Sequence, residues 1–244
     1  MSTSTENNAS TDCAPGDDRI RAAVREARTQ AAIAVAIVGA LLLALAIVDS
    51  WQDWTLLGAP WWTWLFLAIP VAVLLIALLA WGSGDVHPGR RREVIVVLLG
   101  FLALASLGGT VLLVAALVGS STDDLSAGNL LVHAIVVWMT NMIVFSLLFW
   151  ELDAGGPVRR ARVGRAMPDF QFPQDENPEL ATTAWRTALF DYVYVSLTNS
   201  MALSPTDAMP LTRKAKGLMA IEALLSNVII VLVIARAVNV LGSQ

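Results

Sequence analysis

Long apolar runs alternate with short polar ones along the whole chain. Ala31 to Val48, Leu65 to Trp81, Val94 to Val118 and Leu130 to Trp150 carry no Asp, Glu, Lys or Arg. Each is close to the ~20 residues that a helix needs to cross the hydrocarbon of a bilayer. Two further apolar segments follow after a polar interval, Thr183 to Ser204 and a last one that carries Glu222. The pattern predicts an all-α fold, a polytopic membrane helical bundle of about six apolar helices, with the fifth either spanning or re-entrant.

The polar intervals divide the chain. Met1 to Asp18 is a polar tail too poor in apolar residues to order itself, and Arg19 to Arg28 is a basic segment suited to anionic headgroups, so residues 1–28 form one unit. Residues 29–150 read as a four-helix transmembrane unit, residues 151–178 as a cytoplasmic Arg- and Pro-rich loop, and residues 179–244 as a terminal membrane hairpin. Trp51, Trp54, Trp61, Trp62 and Trp64 form an interfacial aromatic belt without a basic residue, as on a non-cytoplasmic face. Pro70 should kink the second helix, and Ala105 with Gly109 offers a small-residue face for close helix approach.

Composition agrees with this class: 56% hydrophobic residues against 15% charged, at a mean hydropathy of +0.64, excludes an ordinary soluble domain. Charge placement says more than the net charge of −4. If four helices cross, Arg19, Arg21, Arg25, Arg28, Arg90, Arg91, Arg92, Arg159, Arg160, Arg162 and Arg165 fall on one side, which the positive-inside rule makes the cytoplasm. The expected location is therefore the cell (inner) membrane, with a cytoplasmic N-terminus. For Thr183 to Ser204, length favours a full crossing, while Arg213, Lys214 and Lys216 favour re-entry.

No enzyme motif appears: there is no HExxH, no nucleophile with a base and no phosphate loop, and the lone Cys13 forms no disulfide framework. His87 and His133 lack partners at metal-ligand spacing and read as packed or interfacial residues. No catalytic residue, metal or cofactor is expected, and the partners are the lipid bilayer and a second copy of the chain rather than nucleic acid. What stands out is polar content in the terminal hairpin: Asp191, Ser196, Thr198, Asn199, Glu222, Ser226, Asn227 and Arg236. Ionisable groups in spanning segments are costly and face a cavity or a partner. Asp191, Glu222, Asn227 and Asn199 are thus candidates for an ion or proton site. Counting outward from Asp207 in a simple hairpin would bring Asp191 and Glu222 level.

Aromatic residues, Ser and Thr lead into the Ser204-Pro205-Thr206-Asp207 loop, followed by Pro210, Thr212, a basic pair and Leu218 to Leu225. This stretch resembles the pore region of two-helix potassium channels, and it is similar to the C-terminal part of a family of uncharacterised bacterial inner-membrane proteins. The resemblance implies a channel-like element whose loop candidates are Ser204, Pro205, Thr206 and Asp207. The family's Thr-x-Gly-aromatic-Gly-Asp filter falls on Ala202 to Asp207, where only the aspartate matches. Pro205 fixes φ and Thr206 is β-branched, so carbonyls cannot stack as they do around potassium. The sequence thus favours a channel-like or carrier-like conduit for a small ion that is not potassium-selective. The alternative is a non-transporting membrane protein that docks a protein or lipid partner.

Overall fold

The computed structural model describes residues 15–52, 61–80, 88–118, 127–164, 167–179, 185–202 and 208–242. The described chain is nearly all helical. In order come α1 (Pro15–Gln52), α2 (Trp62–Ala80), α3 (Pro88–Val118), α4 (Ala127–Leu152), a 3₁₀ turn (Asp153–Gly155), α5 (Pro157–Val163), β1 (Phe170–Gln171), α6 (Pro173–Glu176), α7 (Leu189–Ala202), β2 (Met209–Pro210) and α8 (Arg213–Gly242). Five helices, α1, α2, α3, α4 and α8, are long and apolar enough to cross a membrane. The basic segment and the first apolar run form a single helix that already begins at Pro15, inside the stretch read as tail; Met1 to Ala14 lies outside the described residues. Helix α2 runs through Pro70.

Helix α4 is the centre of the molecule. About 67% of its apolar window is buried, against 22% to 39% for the other four long helices, because α1, α3, α7 and α8 all pack on it. Those outer helices turn large apolar side chains outward, among them Ile37, Phe66, Ile76, Leu104, Val111 and Val231. The interior, by contrast, holds Asn141, Ser146, Ser196, Ser200, Glu222 and Ser226. These polar groups sit within a core that is otherwise apolar, while the outer surface of the long helices is apolar as well, unlike that of a water-soluble domain.

Residues 151–179 are not the loose linker their composition suggests. Asp153, just beyond α4, accepts hydrogen bonds at Oδ1 from the amides of Asp169 (2.7 Å) and Phe170 (3.1 Å), and at Oδ2 from the Tyr192 hydroxyl (2.5 Å). Arg160 lies over the Tyr192 ring and donates to the carbonyls of Trp150 (2.9 Å) and Asp153 (2.6 Å), so it closes the end of α4 rather than only marking a side of the membrane. Phe170 and Phe172 pack edge against face on Tyr192, and Phe149 lies tilted against Phe170, beneath these bonds. Antiparallel pairing of β1 with β2, Phe170 to Pro210 and Gln171 to Met209, ties this segment to the start of α8. Thr212 then caps α8: its hydroxyl accepts from the Ala215 amide (3.2 Å) and donates to Asp169 (2.6 Å).

These bonds fix helix directions. Gln30 in α1 accepts from the amide of Leu189, the first residue of α7 (3.1 Å), Tyr192 reaches Asp153 beyond α4, and Thr212 is held by Asp169. So α4 ends, and α7 and α8 both begin, at one end of the molecule, beside α5 and the basic part of α1. From there α7 and α8 run inward side by side in the same direction, not as an antiparallel hairpin. With 14 residues, α7 is about 21 Å long, short of the ~30 Å that a full crossing needs. It starts at Leu189 rather than Thr183 because residues 185–188 are not helical and Asp191 caps its first turn, Oδ2 accepting from the Ala188 amide (2.7 Å).

Candidate functional site: a buried carboxylate between three helices

Glu222, in the third turn of α8, has no solvent exposure. It points between α4 and α7, where each donor within reach is neutral. Asn199 Nδ2 donates to its Oε2 at 2.7 Å and also to the carbonyl of Met219 (2.9 Å). The Ser196 hydroxyl contacts Oε1 by a short hydrogen bond and also lies 2.7 Å from the carbonyl of Met142 in α4. Among the described residues, no Lys, Arg or His pairs with this carboxylate. One side chain from α8 is thus held by two from α7, over a main-chain oxygen of the central helix.

A second set of polar contacts continues sideways. One turn beyond Glu222, the Ser226 hydroxyl accepts from Asn141 Nδ2 (3.2 Å), and Asn141 Oδ1 accepts from Ser106 in α3 (3.1 Å). Asn141 and Ser226 have no exposure, and Ser106 is buried. The result is a polar seam that crosses the bundle from α3 through α4 to α8 and α7, with Glu222 as its ionisable member.

Of the four candidates for an ion or proton site, Asn199 and Glu222 therefore meet, together with Ser196 from the same polar set. Asp191 does not join them. Equal depth about Asp207 presumes an antiparallel hairpin, whereas α7 and α8 run the same way, so Asp191 sits in the first turn of α7 as a cap and Glu222 lies deeper. Asn227 is also apart, with Nδ2 bonded to the Ala223 carbonyl of its own helix (2.8 Å). Ser204, Pro205, Thr206 and Asp207, and the side chain of Arg236, lie outside the described residues.

Two buried clusters had no local signal. Trp64, read as part of the aromatic belt, is buried and donates Nε1–H to Asp49 Oδ2 at 2.6 Å. His133 Nε2 stands 3.0 Å from Asp49 Oδ1 and 3.2 Å from Oδ2. These three come from α1, α2 and α4, at the end of the molecule opposite α5. The other cluster is Asp153 with Tyr192 and Arg160, where burial pushes the Tyr192 phenol above its ordinary range and keeps it a proton donor to Asp153. Among the described residues, no group of His, Cys, Asp and Glu is arranged to hold a metal ion.

No family model, no curated protein and no solved structure matches the chain.

Proposed function

We propose that the chain is a polytopic membrane protein of the cell membrane that carries a small ion through the bundle by way of Glu222. The observation that carries this reading is the setting of that carboxylate, fully buried between α4, α7 and α8 with only neutral oxygen and amide partners. A buried ionisable group without a counter-charge is expensive to keep in an apolar medium, and within membranes such groups mark ion paths and proton relays. The outward apolar faces of α1, α2, α3 and α8 support placement in a bilayer. In that placement five helices cross and α7 is a re-entrant helix that enters from the cytoplasmic end and returns to it. Short helices of this kind occur where protein or a cavity covers their ends. The arrangement retains one aspect of the likeness to channel pores, a short helix entering the membrane before the last crossing, but Pro205 and Thr206 argue against a potassium filter.

The test is ion flux in liposomes containing the purified full chain. The wild type should collapse an imposed cation or proton gradient. Glu222→Gln, which keeps the shape and accepts the same hydrogen bonds at one atom, should lower the rate by roughly a hundredfold. A wild type that leaves every gradient intact, or a Glu222→Gln variant as fast as wild type, would sink the reading in favour of a docking protein.

A further inference from the structure

The hydrogens around Glu222 can be counted. A serine hydroxyl has one, and that of Ser196 lies between two oxygens, Oε1 of Glu222 and, at 2.7 Å, the carbonyl of Met142. A main-chain carbonyl only accepts, so the hydrogen of the Met142 contact comes from Ser196. With that hydrogen committed, Ser196 has only lone pairs to offer Oε1, and the hydrogen of the second contact belongs to the carboxyl group. On the other side, Asn199 Nδ2 has two hydrogens and two acceptors, Glu222 Oε2 at 2.7 Å and the Met219 carbonyl at 2.9 Å. Both acceptors lie on the nitrogen, which fixes the way the amide faces. A neutral acid that donates from Oε1 and accepts at Oε2 therefore supplies a hydrogen to every contact. A carboxylate would leave one of the two contacts of Ser196 as a pair of bare oxygens, which repel.

The same count disfavours a metal cation, which takes several oxygens turned towards it. Asn199 turns N–H hydrogens towards Glu222 instead, and its own oxygen faces away. No charged side chain of the described residues bonds to the acid. From α4, His133 and Glu151 each stand about 13 Å along the axis from Met142. From α7, Asp191 caps the Ala188 amide; from α8, Lys216 is exposed, about 9 Å short of Glu222; and α3 has no ionisable residue after Glu93. We infer that the ion held at Glu222 is a proton, and that this structure is the proton-loaded, occluded form of the site. This rests on the reading of Glu222 as an ion site and narrows the ion to the proton. The two chains of bonds from Glu222 end on the carbonyls of Met142 and Met219, so exchange of the proton requires α7 to move off α8.

Infrared difference spectra of the purified full chain at neutral pH test this. The wild type should show the C=O stretch of a protonated carboxyl group, sensitive to heavy water, and Glu222→Gln should lose it. In Ser196→Ala the acid loses its acceptor, so the band should move to higher frequency. Sodium and potassium salts should leave the band in place. Glutamine at this position donates towards Ser196 and accepts from Asn199 as the neutral acid does, so Glu222→Gln should melt near the wild-type temperature. In liposomes with the membrane potential clamped, a sealed pH dye should report a proton flux that does not change when choline replaces sodium and potassium. The same spectrum in wild type and folded Glu222→Gln, or an unshifted band in Ser196→Ala, would overturn the inference. Glu222-dependent movement of labelled sodium or potassium would also overturn it and would leave Glu222 standing as an ion site. A Glu222 band without flux of any ion would remove the reading of Glu222 as an ion path and this inference with it.

Discussion

Asp153 does at the end of α4 what a cap and a counter-ion do together. Its two oxygens take three donors, two amides and the Tyr192 phenol, and Arg160 Nη1 lies 3.7 Å from Oδ2. Ala154 at φ 49, Gly155 at φ 85 and Gly156 at φ 94 turn the chain sharply enough for this, and at Gly156 any side chain would meet Glu151 Oε1 at 2.9 Å. Removing one donor should be tolerated and removing the acceptor should not. Tyr192→Phe is expected to lower stability by about 1.5–3 kcal/mol, as for loss of a hydrogen bond to a charged group. Asp153→Ala, which leaves two amides and the Tyr192 hydroxyl without their acceptor and Arg160 without its counter-charge, should cost about 3–5 kcal/mol. Denaturation of the purified protein in detergent, followed by tryptophan fluorescence, gives both values. Glu222 and Asn199 could be read from sequence because polar residues are conspicuous in an apolar helix. Asp49, His133 and Asp153 could not, since each stands at the edge of an apolar run, where an acid or a histidine looks like ordinary interfacial chemistry. Their partners lie far away along the chain, 84 residues for Asp49 and His133.

At the scale of elements, hydropathy located all five long helices because a spanning stretch writes its length directly into the sequence. It left α7 open between crossing and re-entry, and it did not show how residues 151–179 pack. The apolar run from Thr183 is long enough to cross, but residues 185–188 leave the helix and Asp191 starts it at Leu189. The Pro-rich stretch looked like a linker because most of its residues are polar, yet Phe170 and Phe172 are almost fully buried under Tyr192. Two aromatic residues among prolines and acids are a weak periodic signal but a large buried area. Helix α8 carries one element-level oddity, Gly217, which is exposed, has an ordinary helical backbone and has nothing within 4 Å of where a Cβ would lie. Gly217→Ala should stabilise the protein by about 0.5–1 kcal/mol through helix propensity alone, measured by the same denaturation. Unchanged stability would mean that helix propensity at this exposed position does not limit the fold.

At the scale of the whole molecule, direction and charge agree. The starts of α1 and α8 and the segment after α4 come together at the α5 end, and they bring Arg21, Arg25, Arg28, Arg159, Arg160, Arg162, Arg213, Lys214 and Lys216 with them. A fully crossing α7 would have sent the last three to the other side; a re-entrant one keeps them, as the positive-inside rule prefers. In the proposed placement, five crossings would put the start of α1 on the cytoplasmic side and the end of α8 at Gly242 on the opposite one. An epitope at the C-terminus of the full chain should be reached by antibody on intact spheroplasts, and one at the N-terminus only after permeabilisation. Both epitopes on the same side would exclude this topology.

The small β1–β2 clip has a consequence for how the chain is made. Helix α7 leaves the ribosome before Met209 and Pro210, the strand that pairs with β1 at the α5 end. Ser196 and Asn199 are made before the carboxylate that they hold, and Glu222 follows them by 26 and 23 residues. A carboxylate delivered to an apolar bilayer ahead of those partners would resist insertion. The two side chains that bond the carboxylate therefore precede it along the chain and are synthesised before it.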